Sequence, residues 1–286
     1  MRVLVVGDER KGGTRAVVEA QVAWLQQHAE VRVEMARDAP LATADIDLVV
    51  VFGGDGSILA AVRRMGDQQR PTLGFNLGRL GFLTAFGADK VRHGLELALA
   101  GKLHEERRLL LSCWIERQDG SRTDPVLALN DGVLQRSASA TIVTIQALRG
   151  TKELAAYAGD GLIVATPVGS TAYSLAAGGP ILAPDLEALV LTPLASHTLT
   201  VRPLVIPADG GVDLMVEEAG GEESCSFVVD GQLPMQVRIG DRVVLRPAAA
   251  RYRGLTRARG AFFEVLRDKL GWADLPRQRA QRRPRR

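Results

Sequence analysis

The feature that most restricts this chain is a corner at residues 49–57. Four apolar residues, Val49-Val50-Val51-Phe52, run directly into Gly53-Gly54-Asp55-Gly56-Ser57, and helical spacing follows over about 56–66. A short β-branched run without polar alternation reads as a strand buried on both faces. A strand that stops on glycine and opens a helix is one corner of a βαβ unit. The neighbouring segments repeat the alternation. Arg2–Gly7, Val31–Met35 and Thr72–Phe75 read as strands, and 14–28 and 89–101 as helices, with Thr14 a capping residue for the first. The expectation is a Rossmann-like, parallel α/β domain over residues 1–105.

Beyond about residue 105 the period changes. Leu109–Glu116, Val126–Gln135, Thr141–Leu148, Gly161–Thr166, Val201–Ile206, Val212–Glu217 and Ser224–Val229 are strand-like runs separated by turn residues. Val237–Arg246 breaks around Gly240-Asp241. Short helices are expected only around 170–177 and 185–190. This predicts a mostly antiparallel, sandwich-like β domain over 106–255. A C-terminal helical segment over 256–276 follows, with Phe262, Val265, Leu266 and Leu270 on one side, and then a disordered arginine-rich tail over 277–286.

Composition decides one point that the sequence pI of about 9.1 obscures. Residues 277–286 hold six arginines and no acid, so the rest of the 286-residue chain has 30 basic against 33 acidic residues. The body is mildly acidic, which argues against a basic nucleic-acid-binding face; any such binding is assigned to the tail, weakly. Two cysteines, Cys113 and Cys225, exclude a metal knuckle and suit a reducing compartment, with a single bridge left open. The opening RVLVVG is too short for a signal-peptide core, and no run approaches a membrane span. A cytoplasmic protein is expected.

Chemistry concentrates in two places. At the end of a parallel strand, Gly53, Gly54 and Gly56 let backbone N–H groups approach a phosphate, and the following helix offers its N-terminus, with Ser57 near its cap. Asp55 adds negative charge there, which makes sense if it takes a proton from an attacking hydroxyl or holds Mg²⁺. A tight turn that only closes the corner is the alternative. The second place is Asp160–Pro180, where hydroxyls at Thr166, Ser170, Thr171, Tyr173 and Ser174 crowd nine positions. They read as a phosphate or ribose site, or as a cap from Ser170 or Thr171 on a helix over 172–177. Asn130-Asp131 reads as a turn or as a ribose contact, and Asp230-Gly231-Gln232 has the same two readings. His197 reads as a buried, hydrogen-bonded histidine rather than a catalyst.

Together the residues carry a resemblance. Gly53–Gly56, Asn76–Thr84 (NLGRLGFLT), Asn130-Asp131, Asp160–Pro180, His197–Pro203 and Asp230–Gln232 stand in the order of the motifs of ATP-dependent NAD kinases, over about residues 1–272. The resemblance implies transfer of the γ-phosphoryl of ATP, with polyphosphate an alternative donor, to the 2′-hydroxyl of the adenosine ribose of NAD. Mg²⁺ or another divalent cation would be carried by ATP. It implies that Asp55 is the general base and that Gly53, Gly54, Gly56 and Ser57 form the phosphate loop. It places NAD against Asp55, Gly56, Asn130, Asp131, Asp160, Thr171, Ala172, Tyr173, Ser174, Leu175, Ala176 and Gln232, and the chain in a homodimer or homotetramer.

The chain departs from the family pattern at Ser57 (commonly threonine), Val168 (threonine), Asp131 (often glutamate), Ala158 (arginine in some members) and Ser196 (proline). Val168 is expected to remove one hydroxyl contact, and Ala158 a phosphate or cross-subunit contact. Phosphofructokinases share GGDG but carry a second acidic segment that is missing here. Lipid kinases share GGDG without a hydroxyl-rich loop like 160–180. A non-catalytic nucleotide sensor is the reading from another class.

Overall fold

A contiguous valine run must be covered on both faces, and this constraint organises the first hundred residues. The computed structural model describes residues 1–8, 14–36, 39–78, 81–137, 142–198, 200–219 and 225–271. Its first part runs β1 (Arg2–Val6), α1 (Thr14–Leu25), β2 (Glu30–Glu34), β3 (Leu48–Phe52), α2 (Asp55–Met65), β4 (Thr72–Asn76), β5 (Phe86–Gly87) and α3 (Val91–Leu99). All pairings among β1–β5 are parallel. Side-chain alternation divides each strand between two layers. Val3, Val5, Val50 and Phe52 pack with Val18 and Leu25 of α1 and Leu95 of α3. Leu4, Val6, Val49 and Val51 pack on the other face with Ile58, Leu59 and Val62 of α2.

The second part runs β6 (His104–Glu116), β7 (Val126–Ala128), β8 (Asp131–Arg136), β9 (Val143–Arg149), β10 (Lys152–Gly159), β11 (Gly161–Ala165), α4 (Tyr173–Ala176), β12 (Ala188–Leu194), β13 (Leu204–Pro207), β14 (Val212–Ala219), β15 (Cys225–Val229), β16 (Leu233–Val237), β17 (Arg242–Thr256) and α5 (Ala261–Leu270). β13-β12-β11-β8-β15-β16 form a six-stranded antiparallel sheet. It lies over antiparallel strands of the other sheet, and Leu134, Leu162, Val164 and Phe227 fill the layer between with Ile145, Leu214 and Leu245. The parallel first part, the mostly antiparallel second part and the C-terminal helix are as expected from the sequence. The two parts also share a sheet: Gly254 of β17 pairs in parallel with Thr72 of β4, giving eleven strands in all.

Two expectations are corrected, and two strand segments were not expected. Val126–Gln135 is two strands in different sheets, β7 beside β6 and β8 beside β11 and β15, with the break at Leu129-Asn130. Residues 188–190, expected to be helical, begin β12, because the run Leu189–Thr192 fits between β11 and β13. β10, rich in alanine and turned back on β9 after Gly150, carries no strand signal in its sequence, and neither does the extension of β17 past Pro247. The expected tail 277–286, and 272–276 of the expected helical segment, lie outside the described residues. Cys113 and Cys225 are free, buried thiols. Among the described residues no helix is long and apolar enough to cross a membrane.

The packing between sheets has a checkable consequence. Gly132 of β8 has no room for a side chain, since a Cβ there would overlap the Phe227 ring. Gly132→Ala is expected to cost about 1–3 kcal/mol through overpacking. Phe227→Leu, which withdraws the ring, should recover part of that loss in the double variant. Denaturant unfolding of the four chains checks this, and strictly additive losses would show that Phe227 is not the obstacle.

Candidate active site

β3 and β4 end side by side, and their carboxyl ends carry the glycine corner. The Gly53 amide donates to the Phe75 carbonyl at 2.9 Å, and Gly54, in extended conformation, precedes α2. Asp55 is the first residue of α2, where the helix dipole favours negative charge. Its carboxylate is aimed by the NLGRLGFLT segment: the Phe82 amide donates to Oδ2 at 2.8 Å and the Leu83 amide to Oδ1 at 3.2 Å. Gly81 permits this approach, because a Cβ there would fall on Asp55 Oδ1. Its amide donates to Thr84 Oγ1 at 3.0 Å, and Asn76 Oδ1 accepts the Gly78 amide at 2.7 Å, which shapes the loop. The sequence gives one signal for this role, the glycine at 81.

Gln232 reaches the same corner from the β15–β16 hairpin. Its Nε2 donates to the Gly56 carbonyl at 2.9 Å, and its Oε1 accepts from Arg63 at 3.0 Å. Gly56, Ser57 and Gln232 line a cavity of about 90 Å³ with Gly7 and Asp8 at the end of β1. Gln232 is thus a clasp between the hairpin and α2, while Arg63 was not singled out by sequence reading.

Just before Gln232, Asp230 adopts a left-handed backbone (φ 50°) and turns its buried carboxylate on the break between β7 and β8. Oδ2 accepts the Leu129 amide at 3.1 Å, and Oδ1 accepts those of Asn130 at 2.7 Å and Asp131 at 3.1 Å. Asn130-Asp131 is therefore neither a simple turn nor a continuous strand. Asp131 is buried against the same site. Burial first, and then the Asp230 charge, push the Asp131 carboxyl up to about 7. Burial also raises Asp230, to about 6, against the opposing effects of its three amide partners and of the Arg63 charge.

The 160–180 loop packs onto this break. Thr166 Oγ1 donates to the Leu129 carbonyl at 2.6 Å, and the Thr166 amide donates to the Asn130 carbonyl at 2.8 Å. Ser170 Oγ donates to Pro167 and accepts the Leu182 amide, Thr171 Oγ1 donates to Val168, and buried Ser174 bonds Thr192 of β12 at 2.8 Å. So four of the five hydroxyls are bonded within the fold, Thr166 and Ser174 to neighbouring strands or their ends and Ser170 and Thr171 inside the loop, and of the five Tyr173 alone is exposed, at 47%. Neither Ser170 nor Thr171 caps the helix; Ala172 precedes α4 without a side-chain cap bond. Val168 is buried in the apolar layer beneath α2, so its methyl groups pack where a hydroxyl would be desolvated. His197 is exposed rather than buried, and its amide donates to the Ala158 carbonyl at 3.0 Å, so the 195–198 turn, not a core site, holds it.

Two cavities meet at Tyr173 and Gln135. One, of about 370 Å³, is lined by Asn130, Asp131, Ala172 and Asp230. The other, of about 480 Å³, is lined by Asp160, Ala176, Arg136 and Leu194, with Asp160 Oδ1 held by Arg136 Nε at 2.6 Å. Of the expected residues, Asp55, Gly53, Gly54, Gly56, Ser57 and Gln232 gather at the corner. Asn130, Asp131, Ala172 and Tyr173 gather at the first cavity, and Asp160 and Ala176 at the second. Ser174 and Leu175 do not line either cavity: Ser174 is buried against Thr192 and Leu175 is partly buried. Thr171 serves the loop. Gln135 and Arg136 were not singled out from the sequence. No group of three or more His, Cys, Asp or Glu side chains poised to hold a metal occurs among the described residues.

Known proteins match this arrangement. The family model for the ATP-NAD kinase N-terminal domain matches residues 5–103, and that for the C-terminal domain matches 129–254. The NAD kinase of Geobacter sp. (strain M21) is 38% identical over 274 residues, covering 91% of this chain and 94% of its own. That of Geobacter metallireducens is 41% identical, covering 80% of each chain. The crystal structure of an NAD kinase from Archaeoglobus fulgidus in complex with ATP superposes with a TM-score of 0.75 at 26% identity, over 95% of this chain and 98% of that one. Yeast NADH kinase complexed with NADH shares the fold, with a TM-score of 0.87 at 24% identity over 96% of this chain and 88% of that one. The chain belongs to the ATP-NAD kinase family.

Proposed function

We infer that the chain is an NAD kinase, which transfers the γ-phosphoryl of ATP to the 2′-hydroxyl of the adenosine ribose of NAD and makes NADP. The observation that carries the mechanism is the setting of Asp55. A carboxylate offers about four acceptor positions. The Phe82 and Leu83 amides take one on each oxygen and fix its aim, and the remaining positions can accept the ribose hydroxyl. Asp55 takes that proton as the hydroxyl oxygen attacks the γ-phosphorus and ADP leaves. Phosphoryl transfer depends mainly on positioning and charge neutralisation. The amides at the start of α2 and the glycine corner supply dipoles for phosphate, with Ser57 beside them.

A divalent cation fits as part of the ATP substrate. Mg²⁺ commonly uses one or two carboxylates with phosphate oxygens, and Asp55 is the acid of this loop; the cation would neutralise phosphate charge. The acceptor ribose belongs in the Asn130–Asp131 cavity, because Gln232 ties the adjoining hairpin to Gly56, next to Asp55. The rest of the dinucleotide then passes Tyr173 toward Asp160 and Ala176. Asp131 lines this cavity, with its carboxyl pushed up by burial and then by the Asp230 charge, and is a hydrogen-bonding partner for the ribose hydroxyls. In this reading residues 1–105 supply the phosphoryl-transfer loop and 106–255 the dinucleotide site. The working unit is a cytoplasmic homodimer or homotetramer. Support for this is the family resemblance and two buried free thiols, which suit a reducing compartment.

Asp55→Asn is expected to lower kcat by about 10² to 10⁴ while NAD binding survives. Coupling NADP formation to a specific dehydrogenase measures this. A Mg²⁺ titration separates the roles: partial recovery of the rate at high metal would make Asp55 a metal ligand rather than the base.

The buried pair predicts a pH effect on stability. Asp131 ionises at about 7 in the fold against 3.8 ordinarily, so folding holds its proton and the wild type loses stability as pH rises between these values. Asp131→Asn lacks the ionisation penalty. Its melting temperature relative to wild type should therefore climb between about pH 4 and about pH 7 and level off above that. A difference independent of pH would contradict the raised ionisation.

A further inference from the structure

The C-terminal helix α5 meets the fold at the segment that aims Asp55. It starts after a left-handed Gly260 (φ 77°) and buries Val265 and Leu266. Its other contact is aromatic: the Phe262 ring lies 6.3 Å from the Phe82 ring, centroid to centroid. Seven residues on, two turns along the same face, Lys269 Nζ sits 4.8 Å above that ring. Phe263 braces Phe262 edge-on at 5.3 Å. Phe82 is therefore gripped at both ends of the helix, and Phe82 is also the residue whose amide donates to Asp55 Oδ2.

Behind this contact lies a space of only about 30 Å³, walled by Leu83, Thr84, Arg108, Tyr252, Phe262 and Val265. Arg108 is buried and paired with Glu106. Tyr252 is also buried; that burial, and the charges of Asp55 and Glu106, raise its hydroxyl, while Arg108 opposes them. This polar layer is within electrostatic reach of Asp55, and α5 is the element that closes it.

We propose that α5 is a positioning element for phosphoryl transfer: Phe262 and Lys269 clamp the Phe82 ring and so hold the Phe82 and Leu83 amides that orient the Asp55 carboxylate. The proposal rests on Asp55 acting as the base. It makes Phe262 a positioning residue that touches neither substrate. Removing it lets the loop, and with it the carboxylate, drift from the attacking hydroxyl, and an offset of an ångström is costly to the rate.

The test uses the full chain with MgATP and NAD. Phe262→Ala is expected to lower kcat by about 10- to 100-fold with both KM values nearly unchanged. Phe262→Tyr, which keeps the ring, should restore the rate. In the Asp55→Asn background Phe262→Ala should cause no further loss, because the carboxylate it positions is gone. A full additional loss in that background, or a rise in KM at constant kcat, would overturn the proposal and leave α5 a packing element. Asp55→Asn turning over at near the wild-type rate would instead overturn the base reading, and the proposal with it. If Phe262→Ala does not fold, Lys269→Met removes only the exposed cation, and a loss in kcat of about two- to fivefold is expected. An unchanged kcat there would count against the clamp.

Discussion

The structure turns on one buried carboxylate. Asp230 takes the amides of three consecutive residues, Leu129, Asn130 and Asp131. Those N–H groups would otherwise need strand partners, since a buried donor without one is costly. With Asp230 supplying the acceptors, the chain leaves one sheet at Ala128 and enters the other at Asp131. The same exchange places the Asn130 carbonyl where Thr166 and Gly169 dock, and so seats the 160–180 loop. It also sets Gln232 two residues beyond, within reach of α2. The layer crossing, the cavity lined by Asn130 and Asp131, and the clasp from Gln232 to the glycine corner all follow from it.

What the sequence made legible was whatever side chains encode by period. β1 and β3 are valine- and leucine-rich because both faces are covered, and α2 follows glycine directly; each was readable. The crossing at Leu129-Asn130 was not, because VLALNDGVLQR is apolar on both sides of the break and the partner that makes the break is a hundred residues away. β10 escaped because its alanines favour helix and are depleted in strands, and β12 because it follows a turn of mixed composition.

At the site, the glycine corner that holds Asp55 was readable from its place between a strand and a helix. The loop hydroxyls carry an ambiguous signal: Ser170, Thr171 and Ser174 satisfy backbone or buried partners, a need that leaves the same residue types in the sequence as a ribose site would. The groups that aim Asp55 are main-chain amides, which every residue other than proline supplies. No residue type at 82 or 83 could announce them. Only Gly81, squeezed against the carboxylate, left a mark.

The pairing of Gly254 with Thr72 has a consequence for synthesis of the chain. The Thr72 end of β4 stays without its neighbour until about 180 more residues have been made. At usual translation speeds that is a wait of roughly 10 to 40 s, during which a hydrophobic parallel sheet has one bare flank. The nascent first part is therefore the species in which chaperone capture, or pairing between neighbouring ribosomes, would compete with native closure. The strand that ends this exposure is the one that leads into α5.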